Sequence, residues 1–169
     1  MKTNLWSSAA ANGLLLSLIT VILLLVQTAF PMGTAVAILF WIVKLVATVG
    51  LLFYFMKDFG KPQESYRYGT AFSYGFAVSF CSNIVIACYL FIHSTVIFPD
   101  SLEKSLEAMQ QVFSQYNLDS SITDMVMNNL PVISSLSTLL IYTIEGVIFS
   151  AILANFAKKA EQPFANEIE

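Results

Sequence analysis

"AILFWIVKLVATVGLLFYF", residues 37–55, holds one charge, Lys44, among nineteen residues. A helix needs about 20 apolar residues to cross the hydrocarbon layer of a bilayer. The stretch is therefore read as a membrane span, and Lys44 falls near its middle. A charge at the centre of a spanning helix costs about 2.5–3.5 kcal/mol on insertion scales. Lys44 must then be neutralised by a partner or serve a purpose, and the rest of the chain is searched for that partner.

The composition supports a membrane reading. Apolar residues make up 57% of the 169 residues and charged ones 11%, against roughly a quarter charged in ordinary soluble domains. Three further segments have the length and character of spans, giving about 5–27, 33–56, 68–98 and 131–157 within a single integral membrane domain, 1–169. The first follows Lys2 as a signal peptide would, but its apolar run continues past the usual signal length, and residues 28–32 offer no A-x-A-like site. It is read as a retained span. Cys81 and Cys88, seven apart, would sit about 10 Å apart on one helix face, too far to bridge. They are read as small packing residues, and no Cys/His cluster has metal-ligand spacing.

The connecting segments sort by charge. Lys57, Lys61 and Arg67 lie between the second and third spans, Lys158 and Lys159 follow the fourth, and Lys2 precedes the first. Residues 28–32 are uncharged, and residues 99–130 carry Lys104 against Asp100, Glu103, Glu107, Asp119 and Asp124. The positive-inside rule places both termini in the cytoplasm. Tyr66, Tyr68, Phe72 and Tyr74 are expected at that boundary as an aromatic belt. There is no basic patch for nucleic acid, no Gly-rich phosphate loop and no nucleophile–base motif.

"PDSLEKSLEAMQQVFSQY", residues 99–116, reads as an amphipathic helix. Asp100 and Glu103 have capping-box spacing after Pro99. Leu102, Leu106, Met109, Phe113 and Tyr116 recur at four-three-four-three spacing as one apolar stripe. A turn at "YNLD" and a short helix from about Ser121 to Asn129 complete a helical hairpin on the outer side. Its stripe is expected to cover the bundle or a partner, because the acidic face opposes anionic headgroups.

Lys44 lies thirteen residues before Lys57, and Glu145 thirteen before Lys158. Both spans run in the same direction, so the two charges share a depth about 20 Å from those flanks. Asn83, fourteen residues beyond Gly69, and Thr20, fourteen beyond Trp6, reach the same level. A polar belt of Thr20, Lys44, Asn83, Tyr142 and Glu145 is expected across the midplane. Gly13, Ser17, Ala37, Thr48, Ser79, His93, Ser134 and Thr138 continue its seams, and Gly146 lets a neighbouring helix approach. The expected contact is Lys44 with Glu145, direct or through one water. As a structural pair it would lose about 3–5 kcal/mol on removal of one partner. As a functional pair it would be a proton or ion relay or a headgroup site, which His93 would extend outward, although a lone interfacial histidine is more often an amphipathic anchor. Pro31, Lys44, Lys57 and Pro62 also echo Pro131, Glu145, Lys158 and Pro163 in spacing. Equal span lengths or a parallel repeat would each produce that echo.

Taken together, "FGKPQESYRYGTAFSYGFAVSF", "FPDSLEKSLEAMQQVF" and "NLPVISSLSTLLIYTIEGVIFSAILANFAKKAEQPF" resemble a small bacterial four-span family, domain of unknown function four-one-nine-nine. The resemblance rests on Phe59, Gly60, Tyr68, Gly69, Gly75 and Phe76, then Pro99, Glu103 and Lys104, Pro131, and the run Gly146, Ser150, Ala154, Lys158 and Lys159. It implies an integral inner-membrane protein and brings no catalytic residues or cofactors.

The expected fold is all-α, four transmembrane helices with an amphipathic hairpin between the third and fourth. The expected function is non-enzymatic, an accessory or scaffold subunit of a membrane complex that meets lipids and either a second copy or another inner-membrane protein. The alternative is a small carrier or channel for a lipid-linked or ionic substrate, with the polar belt as its path. A carrier should have a reachable cavity at the belt, whereas a scaffold should bury the belt dry.

Overall fold

The first helix starts on a side-chain cap: Asn4 Oδ1 accepts from the Trp6 N–H at 3.3 Å, occupying one of the donors a helix start leaves open. A computed structural model describes residues 4–30, 33–100, 107, 109, 112 and 120–159. In chain order α1 is Leu5–Ala29, α2 Thr34–Gly60, α3 Tyr68–Ile92, α4 Ser120–Asn128 and α5 Leu130–Ala157. A π-helical turn, His93–Ile97, extends α3. The described residues contain no strand, and four of their helices, α1, α2, extended α3 and α5, are long and apolar enough to cross a membrane. The fold is that of an all-α, multi-pass membrane protein. At 25 residues even the shortest span is about 38 Å long, more than the roughly 30 Å hydrocarbon layer.

The spans satisfy polar groups locally, as an apolar solvent requires. Ser17, Ser94, Thr95, Ser135 and Thr143 hydroxyls donate to carbonyls three or four residues back, Leu14, Leu90, Phe91, Pro131 and Leu139. Pro131 sits in the first turn of α5, where its missing N–H leaves no bond unmade.

α3 is the central helix, with α1 along one side and α5 along the other. Small residues let the backbones approach, the device that membrane helices use in place of a hydrophobic drive. A Cβ added at Gly13 would lie 2.7 Å from Cys81 Cβ and 2.8 Å from the Val78 carbonyl oxygen. One at Gly146 would lie 2.8 Å from Ser79 Cβ, and one at Gly75 2.8 Å from Met56 Sδ. Cys81 thus packs in the α1–α3 contact, while Cys88 is exposed, and both are free thiols.

α2 is different. Its buried residues, Leu52, Phe55, Met56 and Gly60, all fall in its second half. Residues 33–39 are all exposed. α2 therefore joins the bundle at the end that carries the chain termini and leaves a gap toward its first turns. α5 instead packs along α3. The spacing echo between these two helices reflects equal span length and not equal packing.

The termini-bearing end corrects one expectation. Tyr66 and Tyr74 are core residues instead of boundary aromatics. The Tyr74 ring stacks on Phe59 with centroids 3.8 Å apart, and its hydroxyl is held by Asn12 Nδ2 at 2.7 Å and Ser8 Oγ at 2.9 Å. Gly60 makes room for the Tyr66 ring. Burial, then the nearby Tyr74, raises the Tyr66 pKa above the usual phenol range. Tyr68 keeps the boundary position, exposed, with its hydroxyl donating to the Ala151 carbonyl at 3.3 Å. Lys159 closes this end: its N–H donates to the Tyr66 carbonyl, and its ammonium donates to the carbonyls of Lys61 and Gln63.

At the other end the first arm of the expected hairpin is helical at 107, 109 and 112. Met109 is half-buried and Val112 exposed. Leu102, Leu106, Phe113 and Tyr116 of the apolar stripe lie outside the described residues. The second arm is α4, whose Met125 is exposed. It is separated from α5 by Asn129, whose side chain donates back to the Met125 carbonyl at 2.8 Å.

Candidate functional site

The gap beside α2 holds a cavity of about 120 Å³, room for several water molecules. All four spanning helices line it: Leu16 and Thr20 from α1, Lys44 and Thr48 from α2, Ser79, Ser82 and Asn83 from α3, and Tyr142, Glu145 and Gly146 from α5. Thr20, Ser79, Ser82 and Asn83 are buried and form its floor. Trp41, Leu45 and Glu145 are exposed. The mouth therefore lies between α2 and α5 and faces the surrounding membrane. Trp41, Leu45, Val49 and Phe149 give it apolar flanks.

The five residues of the expected polar belt, Thr20, Lys44, Asn83, Tyr142 and Glu145, all border this one cavity. The direct ion pair expected at its centre is not formed. Lys44 Nζ donates to Tyr142 Oη at 2.7 Å and lies 4.7 Å from that ring's centroid. Among the described residues an ion pair joins Lys61 to Asp58 at 2.9 Å, and none joins Lys44 to Glu145. The physical reason lies in the packing of α2. The fully buried residues of α2 all lie in its last turns, and from mid-helix Lys44 reaches the phenol three residues before the carboxylate. The two charges share a cavity without touching.

Two polar atoms on the cavity wall are shut off from solvent and have no hydrogen-bond partner, Asn83 Nδ2 and Thr48 Oγ1. Asn83 is only 7% exposed. An unsatisfied buried polar group costs about 1–3 kcal/mol, so the cavity wall is not internally paired. The cavity thus presents an ammonium on one wall, a carboxylate on the other, and an amide and hydroxyls between them.

Among the remaining seam residues, Gly13, Ser17, Ser79 and Gly146 are buried, Thr48 and Thr138 half-buried, and Ala37 and Ser134 exposed. On α5 the buried face runs through Ser135, Gly146, Ser150 and Ala154, one residue round from the expected seam at Ser134. Ser82, Trp41, Leu16 and Phe149 were not anticipated in the site. Ser82 had a legible signal, since Ser79, Ser82 and Asn83 fall at helical spacing on one face.

His93 lies apart, buried at the far end of α3. Its Nε2 lies 3.1 Å from Thr28 Oγ1, and its Nδ1 lies 2.9 Å from Tyr89 Oη. The single Thr28 hydroxyl proton goes to the Leu24 carbonyl at 2.9 Å, so in this network Nε2 donates and Nδ1 accepts. This imidazole ties α1 to α3 and does not border the cavity. It is a helix tie and not an extension of the belt. Among the described residues no three His, Cys, Asp or Glu side chains gather as metal ligands would.

No curated protein and no solved structure matches the chain. A family described as "Protein of unknown function (DUF4199)" matches residues 11–159. That range takes in α1 from residue 11 onward, the other three spanning helices whole and every cavity residue, and the chain belongs to this family.

Proposed function

We propose that the protein is a non-enzymatic membrane carrier or binding protein for a lipid-linked or ionic ligand, and that the midplane cavity is its binding site. The observation that supports this is the cavity itself. A belt that served packing alone should be closed and internally paired, whereas here Lys44 and Glu145 stand apart and Asn83 Nδ2 has no partner. The sideways mouth favours a ligand arriving from the membrane. Loop charges favour both termini in the cytoplasm, and the family resemblance implies a bacterial inner membrane.

The accessory-subunit reading is the rival, and one purification separates the two. The protein extracted in mild detergent is expected to carry about one lipid or small amphiphile per chain, identified by mass spectrometry. The cavity-filling change Thr48→Phe, on the loosely packed helix α2, should strip that ligand and leave the melting profile intact. A stoichiometric partner protein, with no ligand lost on Thr48→Phe, would contradict the carrier reading and favour a subunit role.

A further inference from the structure

Resting on that binding-site reading, the chemistry of the walls narrows the ligand. We infer that the cavity takes a zwitterion: a phosphate held by Lys44 and Tyr142, and an ammonium held by Glu145.

Charge balance carries the argument. Inside the hydrocarbon layer an unpaired charge is costly, and the cavity offers one of each sign without direct contact. A simple anion would match Lys44 and leave Glu145 bare, and a simple cation would do the reverse. A ligand carrying both signs pairs each wall at once and leaves no buried charge uncompensated.

The donor set narrows the anionic part. The Lys44 ammonium has three protons, of which one goes to Tyr142. Several convergent donors suit the multiple oxygens of a phosphate. Glu145 stands at the exposed mouth, across from Lys44, and is acceptor-only when ionised, as an ammonium requires. Phosphoethanolamine has both groups two carbons apart. The apolar mouth, with Trp41 and Leu45, would suit the acyl chains of a phosphatidylethanolamine, and a free phosphoethanolamine would use the same polar contacts.

Titration followed by native mass spectrometry tests this with three probes: dihexanoyl phosphatidylethanolamine, its N-acetylated form, and dihexanoyl phosphatidylglycerol. The first is expected to bind about tenfold more tightly than the other two, the effect of one charged hydrogen-bonded pair. Glu145→Gln should remove that preference by weakening phosphatidylethanolamine alone. Unchanged phosphatidylglycerol binding would show that the variant is folded. Competition by O-phosphoethanolamine would name a water-soluble zwitterion as the source, and its failure beside a bound lipid would name the headgroup. Equal binding of all three lipids would overturn the zwitterion and leave the binding site standing. A preference that survives Glu145→Gln would also overturn it. Absence of any bound lipid or phosphoethanolamine would overturn both.

Discussion

Gly13→Leu is expected to prevent assembly of the bundle. A Cβ at this position already lies 2.7 Å from Cys81 Cβ and 2.8 Å from the Val78 carbonyl oxygen. The second of these is helix backbone and cannot rotate aside. Gly13→Ala should force α1 and α3 apart by a few tenths of an ångström at least, at about 1–3 kcal/mol for overpacking. The larger leucine also displaces Thr20 from the cavity floor, and no cooperative melt should remain in detergent. Gly50→Ala is the control. Nothing lies within 4 Å of a Cβ there, and the gain in helix propensity is about 0.5–1 kcal/mol. Gly50→Ala should therefore melt at or slightly above the wild type. Similar melting for Gly13→Leu and wild type would mean that α1 does not pack on α3 as described.

Lys44→Met should abolish ligand binding while changing stability by less than about 1 kcal/mol. A direct ion pair would require a loss of about 3–5 kcal/mol on removing one partner. The bond from Lys44 to Tyr142 is instead a contact with a neutral phenol, made across a cavity by a half-buried side chain. Removing the ammonium sacrifices that hydrogen bond and relieves a charge held in an apolar medium. The double change Lys44→Met with Glu145→Leu should show little coupling in melting, whereas two directly paired groups couple by 0.5–3 kcal/mol. Severe destabilisation by Lys44→Met, rescued in the double variant, would restore the structural ion pair and remove the reason for a binding site.

The spans and the polar belt were legible because apolar length and charge position are one-dimensional properties. Counting residues from basic flanks brought Lys44, Glu145, Asn83 and Thr20 to one level, and one cavity borders all four. Gly146 was legible for a similar reason, as a small residue beside a polar position. What sequence could not supply was how shallowly the first half of α2 packs. Its apolar content hardly differs from that of its neighbours, yet only its last turns are buried. With that packing Lys44 bonds to Tyr142 and not directly to Glu145. The face of α5 was misread by one residue, since Ser134 and Ser135 are equivalent in type and only Ser135 is buried. Tyr66 and Tyr74 read as boundary aromatics because amphipathic rings suit an interface. Gly60 and the Ser8–Asn12 pair instead built places for them inside.

The central claim is that the midplane belt is a cavity open to small molecules and not a dry packing seam. Thiol reactivity tests it most directly, because a cysteine must ionise to react and needs water to do so. In a background with Cys81→Ala and Cys88→Ala, cysteines are placed at Val49, half-buried on the cavity wall, and at Val46, on the exposed apolar face of α2. Protein in lipid vesicles is treated with membrane-permeant methanethiosulfonate ethylammonium. Rapid modification is expected at 49, slowed by added phosphatidylethanolamine, and little at 46. Equal and negligible rates at both positions would contradict it and return Lys44 to the role of a buried packing residue.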